Sequence, residues 1–198
     1  MSGKSAEIAD TTPDTALIRA AITGDRGAME TLFTRHETAV FRFALRVLHH
    51  ADDADDVRQE TFVRVFGSLT TFRGDAAFRT FALAICANLC RDRLRCEKRR
   101  PVTNYGLAPH ESQSGDLSTD PHTVCERTEN AARVRRVVDT LAPSYREVLH
   151  LRYVEELSGD EIAHIIGCSR LAVPVRVFRA KKAFEAAYRA ALTQEETV

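Results

Sequence analysis

The sequence has no tryptophan and only nine glycines and six prolines in 198 residues. This scarcity, together with abundant Ala, Leu, Arg and Glu, favours helices over sheets. No apolar run approaches the ~20 residues that cross a bilayer, and residues 1–14 lack the apolar core of a signal peptide. The sequence therefore predicts an all-α protein that is not inserted in a membrane, and we expect it in the cytoplasm.

The cysteines number five, and an odd number argues against a disulfide framework. Cys86 and Cys90 are four residues apart on a predicted helix, and His122 and Cys125 have a ligand-like spacing. Neither pair is accompanied by a second pair at zinc-finger spacing, so we expect small buried side chains or idle thiols and no metal. The sequence has no phosphate loop and no nucleophile motif, which argues against an enzyme or a bound cofactor.

Charge is unevenly distributed, although the formal net charge is +0. Acids cluster at 52–56, arginines and a lysine cluster at 91–100, and the stretch from Arg170 to Lys182 contains cations and no acid. Asp52 or Asp53 is expected to cap the helix that follows. This segregation predicts one surface for a basic partner and a separate surface for phosphates.

Apolar residues at spacings of three and four predict two helical regions. Between them the composition shifts to Pro, Ser, Thr, Gly and Asp, which is typical of a linker. We therefore expect two small helical domains, an N-terminal bundle and a C-terminal helix-turn-helix domain, on a flexible tether. The expected boundaries are a disordered tail at 1–14, a domain at 15–100, a linker at 101–128, a domain at 129–192 and a tail at 193–198.

The second domain contains a predicted helix-turn-helix. Ser158 and Glu161 fit a capping box at the start of a short helix. Gly167 fits the turn, and Ser169 is expected to cap the next helix. In a helix-turn-helix the second helix enters the DNA major groove, and the cations from Arg170 onward suit phosphate contacts. An αα-corner with no role in DNA binding is the alternative interpretation.

The sequence resembles the extracytoplasmic-function (ECF) sigma factors of bacterial RNA polymerase. The matching segments are Asp53 to Phe62, Phe72 to Asp75, Phe78 to Phe81, Asn88, Asp92 to Leu94, Leu141 to Pro143, Tyr145 to Leu149, Leu151 to Tyr153, and Leu157 to Ser169. The resemblance implies a subunit that binds core RNA polymerase, directs it to promoters and helps to melt the DNA. It also implies an anti-sigma protein as a regulator.

The resemblance implies a polymerase-binding surface on the acidic helix. An acidic patch would steer association with a basic coiled coil and fix its register. The alternative is that these acids only cap and solubilise the helix. The implied polymerase-binding residues are Asp53, Asp55, Asp56, Gln59 and Glu60.

The loop and helix that follow resemble the element that binds and melts the −10 region of the promoter. Asn88 can donate and accept hydrogen bonds, as reading a base edge requires. Phe78 and Phe81 are interpreted as core, and Phe81 stands where the family often has Trp. The arginines resemble phosphate clamps, with a solvated basic helix end as the alternative. The implied −10 residues are Phe72, Arg73, Arg79, Asn88, Arg91, Arg93 and Arg95.

The helix-turn-helix resembles the reader of the −35 element, with one departure. Pro174 is costly inside a helix, so the second helix either kinks or begins late, with Pro174 near its start. Leu171, Ala172 and Val175 stand where the family usually has small polar or basic residues, which predicts phosphate contacts and apolar contacts with thymine methyl groups. The implied −35 residues are Ser169, Arg170, Ala172, Val175, Arg176, Arg179, Lys181 and Lys182.

A stand-alone helix-turn-helix regulator is the alternative function. Such a protein would bind duplex operator DNA by itself as a dimer. That interpretation leaves the acidic segment and the Phe72 to Arg95 segment without a role. A sigma factor is therefore the predicted function.

Overall fold

The computed structural model describes residues 12–99 and 121–195, with side chains for 12–97 and 130–193. Most of the predicted tails and of the predicted linker lie outside these ranges. The described residues form helices joined by short turns, as the sequence predicted. The helices are α1 (Asp14–Ile22), α2 (Arg26–Leu48), α3 (Ala51–Ser68), α4 (Phe78–Arg99), α5 (Pro121–Asp139), α6 (Pro143–Tyr153), α7 (Gly159–Ile166) and α8 (Ala172–Glu195), with a 3₁₀ turn at Leu69–Thr71.

Helices α1 to α4 form an N-terminal unit around an apolar core. Helices α2 and α3 pack along each other, and α4 packs against both. Asp25 begins α2, because its carboxylate accepts hydrogen bonds from the backbone N–H groups of Gly27 and Ala28 at 2.9 and 3.2 Å. The largest fully buried side chains of this unit are Leu32, Val40, Phe43, Val65, Leu69 and Leu83.

The turn between α2 and α3 corrects one prediction. His49 ends α2 in the left-handed conformation, with φ of 59°. His50 then caps α3, because its Nδ1 accepts a hydrogen bond from the Asp53 N–H at 3.3 Å. Asp52 and Asp53 lie in the first turn of α3, so the prediction that one of them caps the helix was wrong. Their charges still complement the positive end of the helix dipole.

Three phenylalanines join the end of α3 to the start of α4. Phe78 is only 2% exposed, which confirms its predicted place in the core. Phe81 is half-buried and packs against the same core. The Phe72 ring lies 4.9 Å from the Phe81 ring and 6.4 Å from the Phe78 ring, measured between centroids. Phe72 is therefore part of an aromatic cluster rather than free in solvent.

Helix α5 begins earlier than the composition of the chain suggests. Its first residue is Pro121, within the segment 101–128 for which the sequence predicted a linker. Proline is favourable at the first position of a helix because its missing N–H has no intrahelical partner there and its φ is already helical. Linker composition therefore did not prevent a helix from forming at residues 121–128.

The helix-turn-helix has the predicted local structure. Ser158 and Glu161 form the capping box, with the Glu161 N–H donating to Ser158 Oγ at 3.3 Å and the Ser158 N–H donating to Glu161 Oε2 at 2.9 Å. Gly167 ends α7 with φ of 71°, a left-handed conformation that glycine adopts without strain. Helix α8 begins at Ala172, so Ser169 lies two residues before the N-cap position, and the prediction that it caps this helix was wrong.

Pro174 is the third residue of α8. The first N–H groups of a helix have no intrahelical acceptor, so its missing donor removes no hydrogen bond at this position. Of the two predicted outcomes, the late start is confirmed, because α8 begins at Ala172 and Pro174 lies in its first turn. Helix α8 is therefore a continuous helix to Glu195.

The helices from α5 onward form a C-terminal unit that packs against the N-terminal unit. Helix α6 lies against α2, and α7 lies against α4. The buried apolar residues of the two units form one connected set. The two units therefore pack against each other, and α7 of the helix-turn-helix contacts α4, the last helix of the N-terminal unit.

Loss of the capping box has a measurable expected effect. Substitution Ser158→Ala leaves the Glu161 N–H without its side-chain acceptor, so we expect the free energy of unfolding to fall by about 1 kcal/mol. Urea unfolding followed by circular dichroism measures this change. Ser169→Ala is the matched control, because Ser169 caps no helix, and it should leave the midpoint unchanged. Equal midpoints for both variants would contradict the prediction.

Candidate nucleic-acid interface

The acidic face of α3 is formed by the five residues predicted to bind polymerase. They occupy successive turns of one helix, so they share one side of it. The side chains of Asp56 and Glu60 are 65% and 48% exposed, whereas that of Asp53 is only 18% exposed. The acidic face comprises Asp53, Asp55, Asp56, Gln59 and Glu60.

Hydrogen bonds within α3 orient side chains of this face. Arg58 Nε donates to Asp55 Oδ1 at 2.9 Å, and Gln59 Nε2 donates to Asp55 Oδ2 at 2.7 Å. These two hydrogen bonds lower the pKa of Asp55 below its ordinary value. Glu60 accepts from Arg64 at 2.8 Å, one turn further along the helix. The charged form of Asp55 is therefore stabilised, and Asp55 and Glu60 are oriented by their neighbours.

Arg93 joins the acidic face to the basic end of α4. Its Nε donates to Asp53 Oδ1 at 3.0 Å, and its Nη2 donates to Asp56 Oδ2 at 3.2 Å. The hydrogen bond with Asp53 raises the pKa of Arg93. The acidic and basic surfaces therefore meet at this residue, and the prediction that they are separate was wrong there.

The other residues predicted for −10 DNA lie on or just before α4. Arg73, Asn88 and Arg95 are exposed to solvent. Arg95 lies 3.4 Å from Asp92, in a pair that solvent reaches freely. Asn88 Oδ1 accepts a hydrogen bond from Arg91 Nη2 at 2.6 Å. Asn88 and Arg95, seven residues apart, lie on the outer face of α4, opposite the face that fills the core, and Arg73 lies in the loop before the helix.

Two of the predicted −10 residues are held by the C-terminal unit. Arg79 forms an ion pair with Glu155. Arg91 donates from Nη1 to the Ile166 carbonyl at 2.8 Å and from Nη2 to the Ile165 carbonyl at 3.1 Å. Both carbonyls belong to the last turn of α7, where a positive charge is favourable. The C-terminal unit therefore engages part of the face that the sequence assigned to DNA.

A second group of contacts lies at the other end of the contact between the units. The Arg146 guanidinium donates from Nη2 to the Val47 carbonyl at 2.9 Å. Asp139, at the end of α5, lies 2.7 Å from Arg46 Nη1 and 3.6 Å from His49 Nδ1. Burial lowers the pKa of Arg146 to about 10, against the opposing effect of Asp139. Arg146 thus carries its charge at the end of α2, where the helix dipole stabilises a cation.

Glu155 and His150 form a buried pair beneath Arg79. The His150 ring donates to Glu155 Oε1 at 3.2 Å, and the two side chains are 5% and 2% exposed. Burial alone would raise the pKa of Glu155, but hydrogen bonds from His150 and Arg79 outweigh it and lower the pKa. The His150 ring also lies edge-on to Phe43 of the N-terminal unit, with 5.6 Å between centroids.

Glu147 is a second buried acid at this contact. Its carboxylate lies 3.5 Å from Arg91 Nη1 and is 7% exposed. Burial raises the pKa of Glu147, against the weaker opposing effects of Arg91 and Arg176. The contact between the units therefore contains two buried carboxylates, each facing an arginine of α4.

Sequence reasoning missed most residues of this contact. Arg146 and its acceptor Val47 are 99 residues apart, and Arg91 and Ile166 are 75 apart. No local spacing signals such pairs. Arg146 and Glu147 do lie in a segment that carried the family resemblance, but nothing in that segment names a partner. The missed residues are Asp139, Arg146, Glu147, His150 and Glu155.

The residues predicted for −35 DNA lie on the outer side of the helix-turn-helix. Val173 and Ala180 face inward and are 3% and 0% exposed. Of the predicted set, Ala172 is half-buried and the other seven are exposed. Lys181 lies about 100° around the helix from Lys182, so it is displaced from the centre of the outer face. The structure thus brings most of this predicted set to one surface.

An apolar stripe runs along the middle of that surface. It consists of Leu171, Val175 and Phe178, which are 85%, 49% and 60% exposed. Lys182 lies over the Phe178 ring, with its Nζ 5.9 Å from the centroid. The sequence prediction included Val175 but missed Phe178. The available signal was the position of Phe178. It lies seven residues after Leu171 and three after Val175, so the three share one side of the helix, whereas the buried Val173 and Ala180 share another.

Two cysteines of α4 lie in the core, whereas the third, Cys96, is exposed. Cys86 and Cys90 are fully buried, as predicted for small core side chains. The neighbouring Cys86 thiol and burial raise the pKa of Cys90, so this thiol is not ionised at neutral pH. The side chain of Cys125 lies outside the described residues. Over 12–99 and 121–195 we found no group of three His, Cys, Asp or Glu side chains placed to hold a metal ion.

In the same two ranges, none of the helices has the length and apolar character that spanning a membrane requires.

Comparison with known families identifies both units. The Sigma-70 region 2 family model matches residues 32–100, and the Sigma-70 region 4 model matches residues 131–184. The chain is 31% identical to the RNA polymerase sigma-H factor of Pseudomonas aeruginosa over 179 residues, which cover 88% of this chain and 93% of that protein. It is 30% identical to the ECF RNA polymerase sigma-E factor of Haemophilus influenzae, over 90% of this chain and 96% of that protein.

The chain therefore belongs to the ECF sigma factors of RNA polymerase. Its function is that of a sigma factor in transcription initiation and not that of an enzyme.

Solved structures have the same fold. The structure of CnrH in complex with the cytosolic domain of CnrY matches with a TM-score of 0.63 and 28% identity, over 89% of this chain and 97% of that one. The sigma factor RpoE, in complex with the anti-sigma factor NepR from Bartonella quintana, matches with a TM-score of 0.62 and 19% identity, over 79% and 93% of the two chains. The second likeness concerns the fold alone.

The buried acid Glu147 predicts a pH dependence of stability. Burial raises its folded-state pKa above the ordinary 4.5, so its contribution to stability is present below that value and is lost as the pH rises through the folded-state pKa. Glu147→Gln should remove this loss, which is at most about 1.4 kcal/mol per pH unit. Urea midpoints measured across this pH range test the prediction. The exposed control Glu156→Gln should keep the wild-type profile, and identical profiles for both variants would contradict it.

Proposed function

We propose that the acidic face of α3 binds core RNA polymerase. The charged form of Asp55 is stabilised by its hydrogen bonds, and Asp56 and Glu60 are largely exposed. A surface of this kind favours a basic partner, because complementary charge accelerates association and fixes orientation. In this proposal Asp55 and Asp56 make the main contacts with the polymerase, and Asp53 positions Arg93 beside them.

The outer face of α4 and the loop before it bind the −10 element and help to melt it. Phosphate contacts fall to Arg73, Arg79, Arg91, Arg93 and Arg95, whose charges suit a DNA backbone. Asn88 is exposed and offers both a donor and an acceptor to a base edge. Phe72 is half-buried in the aromatic cluster, so its role is to support the loop that carries Arg73 rather than to stack freely on a base.

Helix α8 binds the −35 element in the major groove. Arg170, Arg176, Arg179 and Lys182 flank the apolar stripe and suit phosphates on either side of the groove. The apolar stripe suits the methyl groups of thymine, which are the apolar features of that groove. Lys181 contributes at the rim, and Ser169 and Ala172 lie at the start of the helix, close to where it would enter the groove.

The two units correspond to sigma domain 2 at 15–100 and sigma domain 4 at 129–192. A cytoplasmic location and an anti-sigma partner follow from the same proposal. CnrH was solved in complex with the cytosolic domain of CnrY, and RpoE in complex with the anti-sigma factor NepR, which supports a protein partner of this kind for this chain. The observation that carries the whole proposal is the order of surfaces along the chain, with an exposed acidic face first and two cationic faces for DNA after it.

Charge reversal tests polymerase binding. The double substitution Asp55→Lys and Asp56→Lys should weaken binding to core RNA polymerase by about tenfold or more, because it replaces attraction with repulsion. Affinity is measured by fluorescence anisotropy of labelled sigma factor titrated with core enzyme, and activity by transcription of a supercoiled template.

Glu30→Lys is the matched control for this experiment. Glu30 is an exposed acid on α2, a different helix from the one that carries the acidic face. The control should bind core enzyme nearly as well as the wild type. Full binding by the double variant would overturn the assignment of the acidic face.

Thymine-to-uracil exchange tests the apolar stripe. Uracil lacks the methyl group and keeps the Watson–Crick hydrogen bonds, so it removes only the apolar contact. In a selected promoter, uracil in the −35 element should lower holoenzyme affinity by about threefold to tenfold. The variant Val175→Ala with Phe178→Ala should no longer distinguish the two bases.

Arg179→Ala serves as the control for the stripe. Loss of a phosphate contact should weaken binding to both templates equally and reduce the dependence of affinity on salt. If the wild-type protein bound the uracil and thymine templates equally, the proposal that α8 recognises thymine methyl groups through apolar contacts would be contradicted.

A further inference from the structure

We infer that Asp14 and His36 are positioning residues for promoter melting, because they hold the base of the loop that precedes α4. This melting loop comprises residues 73–77, between Phe72 and Phe78. Its role at the −10 element rests on the proposed function above. The contacts that connect α1 to the melting loop are observed independently of that proposal.

The melting loop is closed at its base by aromatic rings. Phe72 directly follows the 3₁₀ turn, and Phe78 is the first residue of α4. Their rings meet edge-on, with an interplanar angle of 84° and 6.4 Å between centroids. The direction in which the exposed Arg73 leaves the core therefore depends on where these two rings lie.

The His36 ring supports Phe78 from the side of α2. The centroids of the two rings are 5.0 Å apart, and their planes are inclined at 51°. Both side chains are buried, with His36 8% and Phe78 2% exposed. Because a close-packed interior has little empty space to absorb a movement, a change in the tilt of the imidazole is transmitted to Phe78.

Asp14, the first residue of α1, fixes the orientation of that imidazole. Its Oδ2 accepts a hydrogen bond from His36 Nε2 at 2.7 Å, and its Oδ1 is paired with Arg35 Nη1. Burial lowers the pKa of His36, against the opposing effect of Asp14, so the ring is neutral at pH 7 with its proton on Nε2. A carboxylate that holds one ring nitrogen of a histidine selects one tautomer and one orientation of the ring.

Helix α1 also reaches the other end of the melting loop. It contacts the 3₁₀ turn at Leu69–Thr71. Within that turn Leu69 is 2% exposed, and its carbonyl accepts a hydrogen bond from the Phe72 N–H at 3.1 Å. Helix α1 therefore supports the start of the loop through the turn and the end of the loop through His36.

The polar nature of the Asp14–His36 pair indicates a function beyond filling the core. An apolar side chain at position 36 would pack without a partner, whereas a buried imidazole costs free energy unless it is hydrogen-bonded. The hydrogen bond adds a fixed rotation of the ring, which apolar packing alone does not provide. The pair thus sets a direction for Phe78 as well as occupying volume.

Melting depends on such a direction because the loop must hold an unstacked base of the displaced strand. A binding group has to lie within about 0.5 Å of its productive position. Initial binding to the duplex relies instead on phosphate contacts, which tolerate small displacements. Loss of the Asp14–His36 support should therefore slow promoter opening and leave initial binding unchanged.

The test uses three substitutions of His36 in the full chain, assembled with core RNA polymerase. His36→Gln keeps a donor toward Asp14 and loses the ring, His36→Phe keeps a ring and loses the donor, and His36→Ala loses both. A promoter duplex with 2-aminopurine in the −10 element reports base unstacking by stopped-flow fluorescence. A series of holoenzyme concentrations separates the constant for initial binding from the rate of opening.

We expect His36→Ala to open the promoter about threefold to tenfold more slowly, the equivalent of one aromatic ring pair. The Gln and Phe variants should fall between His36→Ala and the wild type. Asp14→Asn should also slow opening, and combining it with His36→Ala should add little, because the two residues act through one series of contacts. Additive losses would mean that they act separately and would overturn the inference.

Val40→Ala is the matched control for stability. Val40 is a fully buried residue of α2, one turn beyond His36. Its truncation should lower the urea midpoint and leave the opening rate at the wild-type value. An opening rate in Val40→Ala as slow as in His36→Ala would overturn the inference, since the slowing would then follow from stability alone. A wild-type opening rate in His36→Ala would overturn it directly.

Failure of the proposed function gives a different result. In that case Arg73→Ala and Asn88→Ala would open the promoter at the wild-type rate, and the loop would have no role for Asp14 and His36 to support. If those two variants slow opening and His36→Ala does not, the positioning role alone is wrong.

Discussion

Helix α4 serves two surfaces at once, and the rest of the structure depends on that constraint. Its inner face fills the core of the N-terminal unit, and its outer face carries Asn88, Arg91 and Arg95. Because side chains recur around a helix every 3.6 residues, both faces move as one rigid body. Whatever binds the outer face therefore acts on an element that is anchored in the core. The inner residues are Ala82, Leu83, Cys86, Ala87, Leu89 and Cys90.

The buried acids join the C-terminal unit to two arginines of α4. Glu147 and Glu155 are almost inaccessible to solvent, and Arg91 and Arg79 lie beside them and offset part of the cost of their burial. Removal of either arginine would leave a buried carboxylate without that partner, so both arginines contribute to holding the two units together.

Sequence reasoning found the elements with strong local patterns. The capping box at Ser158 and the left-handed Gly167 were predictable because their chemistry lies within a few residues. The start of α3 was missed because His50, an uncommon cap, preceded a run of aspartates that looked like better candidates. The contact between the units was missed altogether, since residues such as Arg146 and Val47 meet only after folding. Phe178 was overlooked because an aromatic residue on a helix is more often buried than exposed.

Pro174 fixes φ at the third residue of α8 and cannot lie deeper in the helix, because its ring and its missing N–H would there disrupt an intrahelical hydrogen bond. It therefore limits how far α8 can extend toward the N-terminus. Residues of the apolar stripe can therefore be exchanged while the position of the α8 backbone relative to Gly167 and Val173 stays the same. An exchange at Val175 or Phe178 would alter which bases are preferred without rotating the helix in the groove. The start of α8 therefore sets how the helix lies on DNA, whereas the exposed side chains set which promoter sequence is preferred. A new set of promoters would then require new side chains in the apolar stripe and no change in the backbone.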